Sequence, residues 1–368
     1  MKNVIQCFGK TVMSFSKKEA IHDSEYQKFT DSQYCIKRDT YWDTLKFLLI
    51  FLVVLGHFPG PFRVESANTI LVNFVYLFHM PLFIFISGRF SVLRDRTKYR
   101  RAIARILETF LVFHTIKYIG GHWGAMSFTS YLHPTWTMWY LLSLAFWRIM
   151  VYVVPERIMR RKDILLPMSI AISLLAGFAP LSTHLSFQRT MAFLPFFLLG
   201  YYSNDFDLRA RLRKIPLWVA VGTLLSAFAM VCIFFSHTNL TTDVLHASIP
   251  YRNNHAAFLC FARALFLVSG TVLSVAVMRL VSGNEIVALW GRRTMFVYVA
   301  HSFAITFIRP FMANGLLPTD TLAIAVYSVL LTTLLTYLGR FKVSQWILNP
   351  VSGLIQVLNV GKSDVTPR

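Results

Sequence analysis

The chain has 368 residues, of which 55% are hydrophobic and only 15% are charged, and its formal net charge is +20. This composition excludes an ordinary soluble domain, because apolar runs long enough to cross a bilayer recur along the chain. The excess of Lys and Arg does not indicate a nucleic-acid-binding protein, since these residues are concentrated in short loops between the apolar runs.

Ten apolar segments follow one another and predict an all-α, polytopic membrane protein with about ten transmembrane helices. The predicted spans cover approximately residues 44–60, 68–88, 102–119, 135–154, 164–182, 190–204, 215–236, 256–278, 293–309 and 321–339. Residues 41–345 are therefore predicted to form one membrane domain, between a polar cytosolic extension (1–40) and a cytosolic C-terminal tail (346–368). The extension lacks an apolar segment of signal-peptide length.

Basic loops alternate with loops that contain few Lys or Arg residues. The basic connections follow the even-numbered spans and lie within residues 89–101, 157–162, 209–214 and 279–293. The intervening loops carry scattered cations: Arg63, Arg189, Arg252 and Arg309. Because positively charged loops remain in the cytosol, the alternation predicts that both termini are cytosolic.

Several common site types are absent from the sequence. The four cysteines form no CxxC pair and have no histidine at metal-binding spacing, so neither a disulfide framework nor a metal site is expected. The signatures GxSxG, HxxxxD, GxGxxG and the P-loop are also missing. The candidate site must therefore be sought among the polar residues within the predicted spans.

Lys46 and His57 lie at opposite ends of the first predicted span, separated by Phe, Leu, Ile and Val residues and one Gly. On an α-helix the two share one face and are roughly 16 Å apart. The second span runs in the opposite direction and puts His79 about 15 Å from Arg89, while His301 is about 12 Å inside the ninth span. Three histidines are thus expected at similar depth, with cations on their cytosolic side.

This arrangement favours a transfer reaction in which a soluble phosphorylated donor binds the cytosolic cations and its reactive end reaches the histidines. Histidine is a suitable general base, because its ordinary pKa lies near neutrality. The alternative is structural. The histidines then bond backbone carbonyls or nearby hydroxyls, Lys46 reaches the interface and pairs with Asp43, and Arg89 is only a topology signal. The spacing alone leaves both interpretations open.

Five segments carry a resemblance to a known family: YWDTLKFLLIFLVVLGHF (Tyr41–Phe58), FHMPLFIFISGRFS (Phe78–Ser91), WTMWYLLSLAFWR (Trp136–Arg148), RTMAFLPFFLLGYY (Arg189–Tyr202) and WGRRTMFVYVAHSF (Trp290–Phe303). In these segments the chain resembles the acyltransferase 3 family of integral-membrane O-acyltransferases, most closely its fucose 4-O-acetylase-like branch. The resemblance implies about ten membrane helices. It also implies transfer of acyl groups, usually acetyl from acetyl-CoA, to hydroxyls of surface polysaccharides, lipopolysaccharide, peptidoglycan or nodulation lipo-oligosaccharides.

Lys46 and His57 match the family's hallmark, which is a basic residue followed by a histidine in the first helix. Many relatives have Arg at the basic position, so the Lys departs from the commoner form and cannot make a bidentate phosphate contact. The family's FFxxSG element corresponds to residues Phe83–Gly88, with Ile at its second position.

The resemblance also implies roles for individual residues. His57 removes the proton of a sugar hydroxyl as this attacks the thioester, and His79 orients His57 or stabilises the developing oxyanion. Lys46, Ser87 and Arg89 are expected to bind acetyl-CoA, the acyl donor, and no metal is expected.

The expected protein is therefore an O-acetyltransferase of the bacterial inner membrane that has a glycan as acceptor and the lipid bilayer as its environment, without a nucleic-acid partner. The glycan is an exopolysaccharide, a lipopolysaccharide or a lipo-chitooligosaccharide nodulation factor. Two alternatives use the same polar residues. One is a transporter or flippase of a glycan or lipid-linked sugar, and the other is a non-catalytic membrane sensor.

Overall fold

The computed structural model describes residues 39–59, 66–121, 127–134, 137–179, 184–235, 243–247, 250–251 and 255–348. Within these ranges every regular element is a helix and no strand occurs, which confirms the predicted all-α class. Most of the predicted N-terminal extension, the tail beyond Leu348 and Trp136 of the fourth span lie outside the described residues. The elements described below belong to one unit of the chain, Thr40–Arg368.

Eighteen α-helices are described. Those in the first half are α1 (Thr40–His57), α2 (Ser66–Tyr76), α3 (His79–Arg89), α4 (Arg96–Gly121), α5 (Phe128–Tyr131), α6 (Trp139–Val153), α7 (Glu156–Met159), α8 (Lys162–Leu175), α9 (Phe187–Ala192) and α10 (Leu194–Tyr202). Those in the second half are α11 (Leu208–Arg213), α12 (Leu217–Phe235), α13 (Asp243–His246), α14 (Ala256–Leu280), α15 (Glu285–Gly291), α16 (Thr294–Ala313), α17 (Thr321–Leu338) and α18 (Lys342–Leu348).

Six helical segments within the described part of the chain are long and apolar enough to cross a bilayer. They are Thr40–His57, Ala67–Arg89, Leu217–Phe234, Ala256–Leu280, Thr294–Ala313 and Thr321–Leu338. The four other predicted spans overlap α4, α6, α8 and the pair α9 and α10, which are more polar or shorter. A membrane protein is therefore supported, while the number of ten crossings and the cytosolic termini stay predictions.

Helix α1 is largely buried inside the helical unit. It packs against α2, α3, α15, α16 and α17. Leu45, Leu49, Ile50 and Val54 are each fully buried, as expected for a helix that is apolar on all sides. At its first turn α15 approaches so closely that a Cβ on Gly291 would overlap the carbonyl oxygen of Asp43. The end of α1 that carries Asp43 is consequently held inside the protein.

Two glycines set the contact between α3 and α10. A Cβ on Gly88 of α3 would overlap the carbonyl oxygen of Phe197, and a Cβ on Gly200 of α10 would overlap that of Phe85. Small residues allow membrane helices to approach at backbone distance, so both positions require glycine. This contact positions α3, which carries His79 at one end and the predicted donor-binding residues at the other.

Candidate functional site

The end of α1 that carries His57 borders a pocket of about 450 Å³, here called the histidine pocket. Its lining includes the polar or aromatic residues His57, Tyr76, His79, Trp139, Arg189 and His246. These residues come from α1, α2, α3, α6, α9 and α13. The pocket is thus lined by three consecutive helices, α1 to α3, and by three helices from later parts of the chain.

The structure brings the three predicted histidines close together, while their common depth in a bilayer stays a prediction. The rings of His57 and His301 stack with centroids 5.4 Å apart and planes 22° apart. His57 and His79 line the same pocket, whereas the fully buried His301 supports His57 from behind. Nη2 of Arg309 donates to the carbonyl oxygen of His57 at 3.0 Å, which puts a cation at the C-terminal end of α1.

Backbone hydrogen bonds determine the tautomers of two of these histidines. Nδ1 of His79 donates to the carbonyl of Val75 at 2.8 Å, across the break between α2 and α3. Nδ1 of His301 donates to the carbonyl of Val297 at 3.1 Å. A neutral ring with its proton on Nδ1 has a lone pair on Nε2. In both rings Nδ1 therefore has the structural role of binding a backbone carbonyl, while Nε2 remains an acceptor.

The sequence interpretation assigned no role to Arg189, Tyr76 or His246. The guanidinium of Arg189 lies 5.2 Å from the ring centroid of Trp139. The ring of Tyr76 lies between those of His79 and His246, at 4.9 and 5.0 Å, and its hydroxyl donates to the carbonyl of Gly56. One available signal was the charge pattern, because Arg189 is a cation in a connection otherwise poor in Lys and Arg.

The opposite end of α1 borders a second, more open cavity of about 650 Å³, here called the lysine cavity. Its lining includes Lys46, Ser87, Phe90, Tyr140, Arg148 and Tyr298. Nζ of Lys46 lies 2.6 Å from Oδ1 of Asp43, and Nε of Arg292 lies 3.6 Å from Oδ2. The predicted pairing of Lys46 with Asp43 is confirmed, and the buried carboxylate is compensated by two cations.

Ser87 is held in the wall of the lysine cavity by two hydrogen bonds. Its hydroxyl donates to the carbonyl of Phe83 at 2.8 Å, and its oxygen is therefore available to accept from the hydroxyl of Tyr140 at 2.6 Å. The Ser-Gly pair of the sequence motif thus has two functions. Gly88 allows the close approach of α10, while Ser87 connects α3 to α6.

Arg89 is not among the residues that line the lysine cavity. Its Nη1 donates to the carbonyl and to the hydroxyl oxygen of Ser203, both at 2.9 Å. Its guanidinium lies 4.5 Å from the ring centroid of Trp42. Arg148, which lies within the fourth predicted span, lines the cavity instead.

Aromatic rings lie between the two cavities. Trp139 lines the histidine pocket, and the next residue, Tyr140, lines the lysine cavity. The ring of Tyr140 is 5.3 Å from that of Tyr298, which is 5.9 Å from that of His301. The hydroxyl of Tyr298 donates to the carbonyl of Thr137. A row of rings therefore connects the lysine cavity to the histidine pair around His57.

This row of rings, here called the partition, separates His57, His79 and His301 from Lys46 and Arg148. The model of the Acyl_transf_3 family, described as an acyltransferase domain, matches residues 39–340. The chain therefore belongs to the acyltransferase 3 family, and it is a membrane acyltransferase. No significant match was found among curated proteins or among solved structures.

Proposed function

We propose that the protein is an integral-membrane O-acetyltransferase of the fucose 4-O-acetylase-like branch, which transfers acetyl from acetyl-CoA to a sugar hydroxyl. The acceptor is a surface or secreted glycan: an exopolysaccharide, a lipopolysaccharide or a lipo-chitooligosaccharide nodulation factor. The main supporting observation is that His57 and Lys46, at the two ends of α1, each line a cavity of their own. One cavity suits the acceptor and the other the donor.

In the proposed reaction His57 acts as the general base. It removes the proton of the acceptor hydroxyl while the oxygen attacks the thioester carbonyl. The resulting tetrahedral oxyanion then collapses, the carbon–sulfur bond breaks, and the proton passes from His57 to the leaving thiolate. The products are the acetyl ester and free CoA. The stacked ring of His301 and the bond from Arg309 to the backbone of His57 hold this base in place.

His79 and Arg189 complete the proposed acceptor side. Because Nδ1 of His79 is committed to Val75, neutral His79 can accept a hydrogen bond through Nε2 and thereby orient His57 or the acceptor hydroxyl. Stabilisation of an oxyanion by His79 would require its protonated form. Arg189 has fixed charge and several N–H donors, so it suits that task in the same pocket.

The donor is proposed to enter the lysine cavity from the cytosol. Lys46 contributes positive charge and Ser87 a polar wall, while Arg89 adds positive potential near this end of α3 and holds α3 to Ser203. The acetyl end of the donor then passes between Tyr140 and Tyr298 toward His57. The membrane is proposed to be the bacterial inner membrane.

The decisive experiment uses the purified full-length protein in liposomes, labelled acetyl-CoA and a set of candidate glycans. Formation of an alkali-labile acetyl ester on a glycan supports the proposal. Glycan movement across the liposome membrane without acetyl transfer would support a transporter instead. Mass spectrometry of surface glycans and secreted oligosaccharides, with and without the gene, identifies the acceptor.

The proposed orientation has a separate test. Single cysteines at Lys214 and Phe128, both exposed, are introduced into a cysteine-free background and treated with a membrane-impermeant thiol reagent. In intact cells Phe128→Cys is expected to react and Lys214→Cys to react only after the membrane is opened. Labelling of Lys214→Cys from outside would contradict a cytosolic Lys46 end.

A further inference from the structure

We infer that Arg148 is the principal phosphate-binding group of the lysine cavity. The ligand class is a phosphate-bearing acyl thioester, so the inference rests on the proposed function and extends it to a residue outside the predicted donor-binding set. It gives a specific role to a charged residue that the sequence placed within a span. Such a residue is costly in a membrane unless it pairs with another group or lines a wet cavity.

The contacts of Arg148 leave most of its guanidinium available. Nε donates to the hydroxyl oxygen of Ser91 at 3.2 Å, and the guanidinium lies 5.9 Å from the ring centroid of Tyr99. The hydroxyl of Ser91 itself donates to the carbonyl of Ser87 at 2.6 Å, so its oxygen is oriented to accept from Arg148. No carboxylate among the described residues forms a salt bridge with Arg148.

The two cations of the predicted donor site are engaged differently. Lys46 forms a 2.6 Å ion pair with the buried carboxylate of Asp43. Arg89 donates to Ser203 and does not line the cavity. Arg148 is thus the cavity-lining cation with no anionic protein partner in the described part of the chain.

The two terminal nitrogens of the Arg148 guanidinium indicate the chemistry of the ligand. Nη1 and Nη2 of an arginine form a planar pair of donors that matches two oxygens of one phosphate. Nε is held by Ser91, so the guanidinium is fixed before a ligand arrives. CoA carries phosphates at the end remote from its thioester. A phosphate on Arg148 would hold the donor on the lysine side, while its acetyl end extends toward Tyr140 and Tyr298.

The test compares two acetyl donors. Acetyl-CoA carries phosphates, whereas the S-acetyl thioester of N-acetylcysteamine has the same reactive group and none. For Arg148→Gln the KM for acetyl-CoA is expected to rise roughly 10- to 150-fold, because a charge-assisted bidentate contact is lost. The kinetics with the truncated thioester are expected to remain within about twofold of wild type, since they need no phosphate contact. Arg148→Lys keeps the charge without the fork and should give an intermediate KM for acetyl-CoA.

Arg263→Gln is the matched control. Arg263 is another arginine within a predicted span; it is buried and its Nη1 donates to the carbonyl of Ser173, but it lines neither cavity. Its substitution should leave the ratio of the two KM values unchanged. An equal KM rise with both donors in Arg148→Gln, or no rise with either, would overturn the inference.

Direct titration of CoA into the purified proteins separates this inference from the proposed function. If wild type binds CoA but transfers no acetyl group, the proposed function fails, and the CoA affinity of Arg148→Gln still decides the role of Arg148. A dissociation constant unchanged from wild type would refute that role. Absence of CoA binding by wild type would refute both. If Arg148→Gln does not fold, the same titration on Arg148→Lys gives the decision.

Discussion

The two cavities at the ends of α1 differ in how their charged groups are compensated. In the lysine cavity the cation of Lys46 is paired with Asp43, which is only 2% exposed and also lies near Arg292. The described residues that line the histidine pocket include histidines and Arg189 but no carboxylate. The first arrangement is a fixed ion-pair network suited to binding, and the second presents groups that can exchange protons.

This difference has an energetic origin. A buried carboxylate is strongly unfavourable without cationic partners, so Asp43 is stabilised by Lys46 and Arg292. Imidazoles can be buried in the neutral form with one N–H bonded to a carbonyl, as in His79 and His301. Variants at the two ends of α1 are therefore expected to fail in different ways.

The largest effect is expected at the histidine end. His57→Ala should lower kcat by roughly 10²- to 10⁴-fold, because the general base is lost, while the protein still inserts and accumulates. Steady-state kinetics of the purified protein in liposomes measure this. His133→Ala is the control, since His133 pairs with the ring of His184 and lines neither cavity. Near-normal activity of His57→Ala would remove His57 from the role of base.

A smaller effect, mainly on KM, is expected at the lysine end. Lys46→Met should raise the KM for acetyl-CoA by roughly 5- to 150-fold, because a charge contact with the donor is lost. Lys46→Arg should keep substantial activity, since the charge persists. If KM and kcat of Lys46→Met both equal those of wild type, Lys46 has no part in donor binding.

The ion pair introduces a second effect at Lys46 that must be separated from binding. Lys46→Met removes the cation nearest to the buried carboxylate of Asp43 and should lower thermal stability. The double variant Lys46→Met/Asp43→Asn removes the carboxylate charge as well and should recover part of that stability. If the KM for acetyl-CoA stays raised in the double variant, the effect of Lys46→Met on KM is due to lost donor binding. If thermal stability and the KM for acetyl-CoA both recover in the double variant, the raised KM of Lys46→Met is due to the disturbed structure.

A variant at the contact between α3 and α10 tests whether both cavities depend on α3. Gly200→Ala should destabilise the protein by about 1–3 kcal/mol, because the added methyl overlaps the carbonyl of Phe85. It should also impair kcat and KM together, since α3 carries His79 and Ser87. Gly222→Ala is the control, because a Cβ there meets no atom within 4 Å. Equal thermal unfolding of the two variants would contradict the close packing.

The smallest effect is expected at the partition, the row of aromatic rings between the two cavities. Tyr140→Phe removes the hydrogen bond to Ser87 and keeps the ring, so activity should fall roughly 2- to 10-fold. Tyr202→Phe loses a comparable bond, to the carbonyl of Met159, away from both cavities. It should leave transfer kinetics unchanged. A loss of activity in Tyr202→Phe as large as that in Tyr140→Phe would show that the effect is not specific to the partition.

Local features of the sequence were sufficient for part of this picture. Helical geometry alone puts Lys46 and His57 on one face of α1, and apolar runs of bilayer length predict a helical membrane protein. These predictions hold because they depend on residues within one helix, where spacing and hydropathy are read directly from neighbouring positions.

Only the tertiary structure assembled the rest of the site. Arg189, Tyr76 and His246 reach the histidine pocket from three further helices, and hydropathy contains no information about which helices are neighbours. Arg89 was predicted from local charge to bind the donor, and that prediction is still untested. Its bond to Ser203, 114 residues away, and the exposure of Arg148 to the lysine cavity depend on packing between distant segments. The sequence by itself determined the helix that carries the candidate base, and helix packing decided its surroundings.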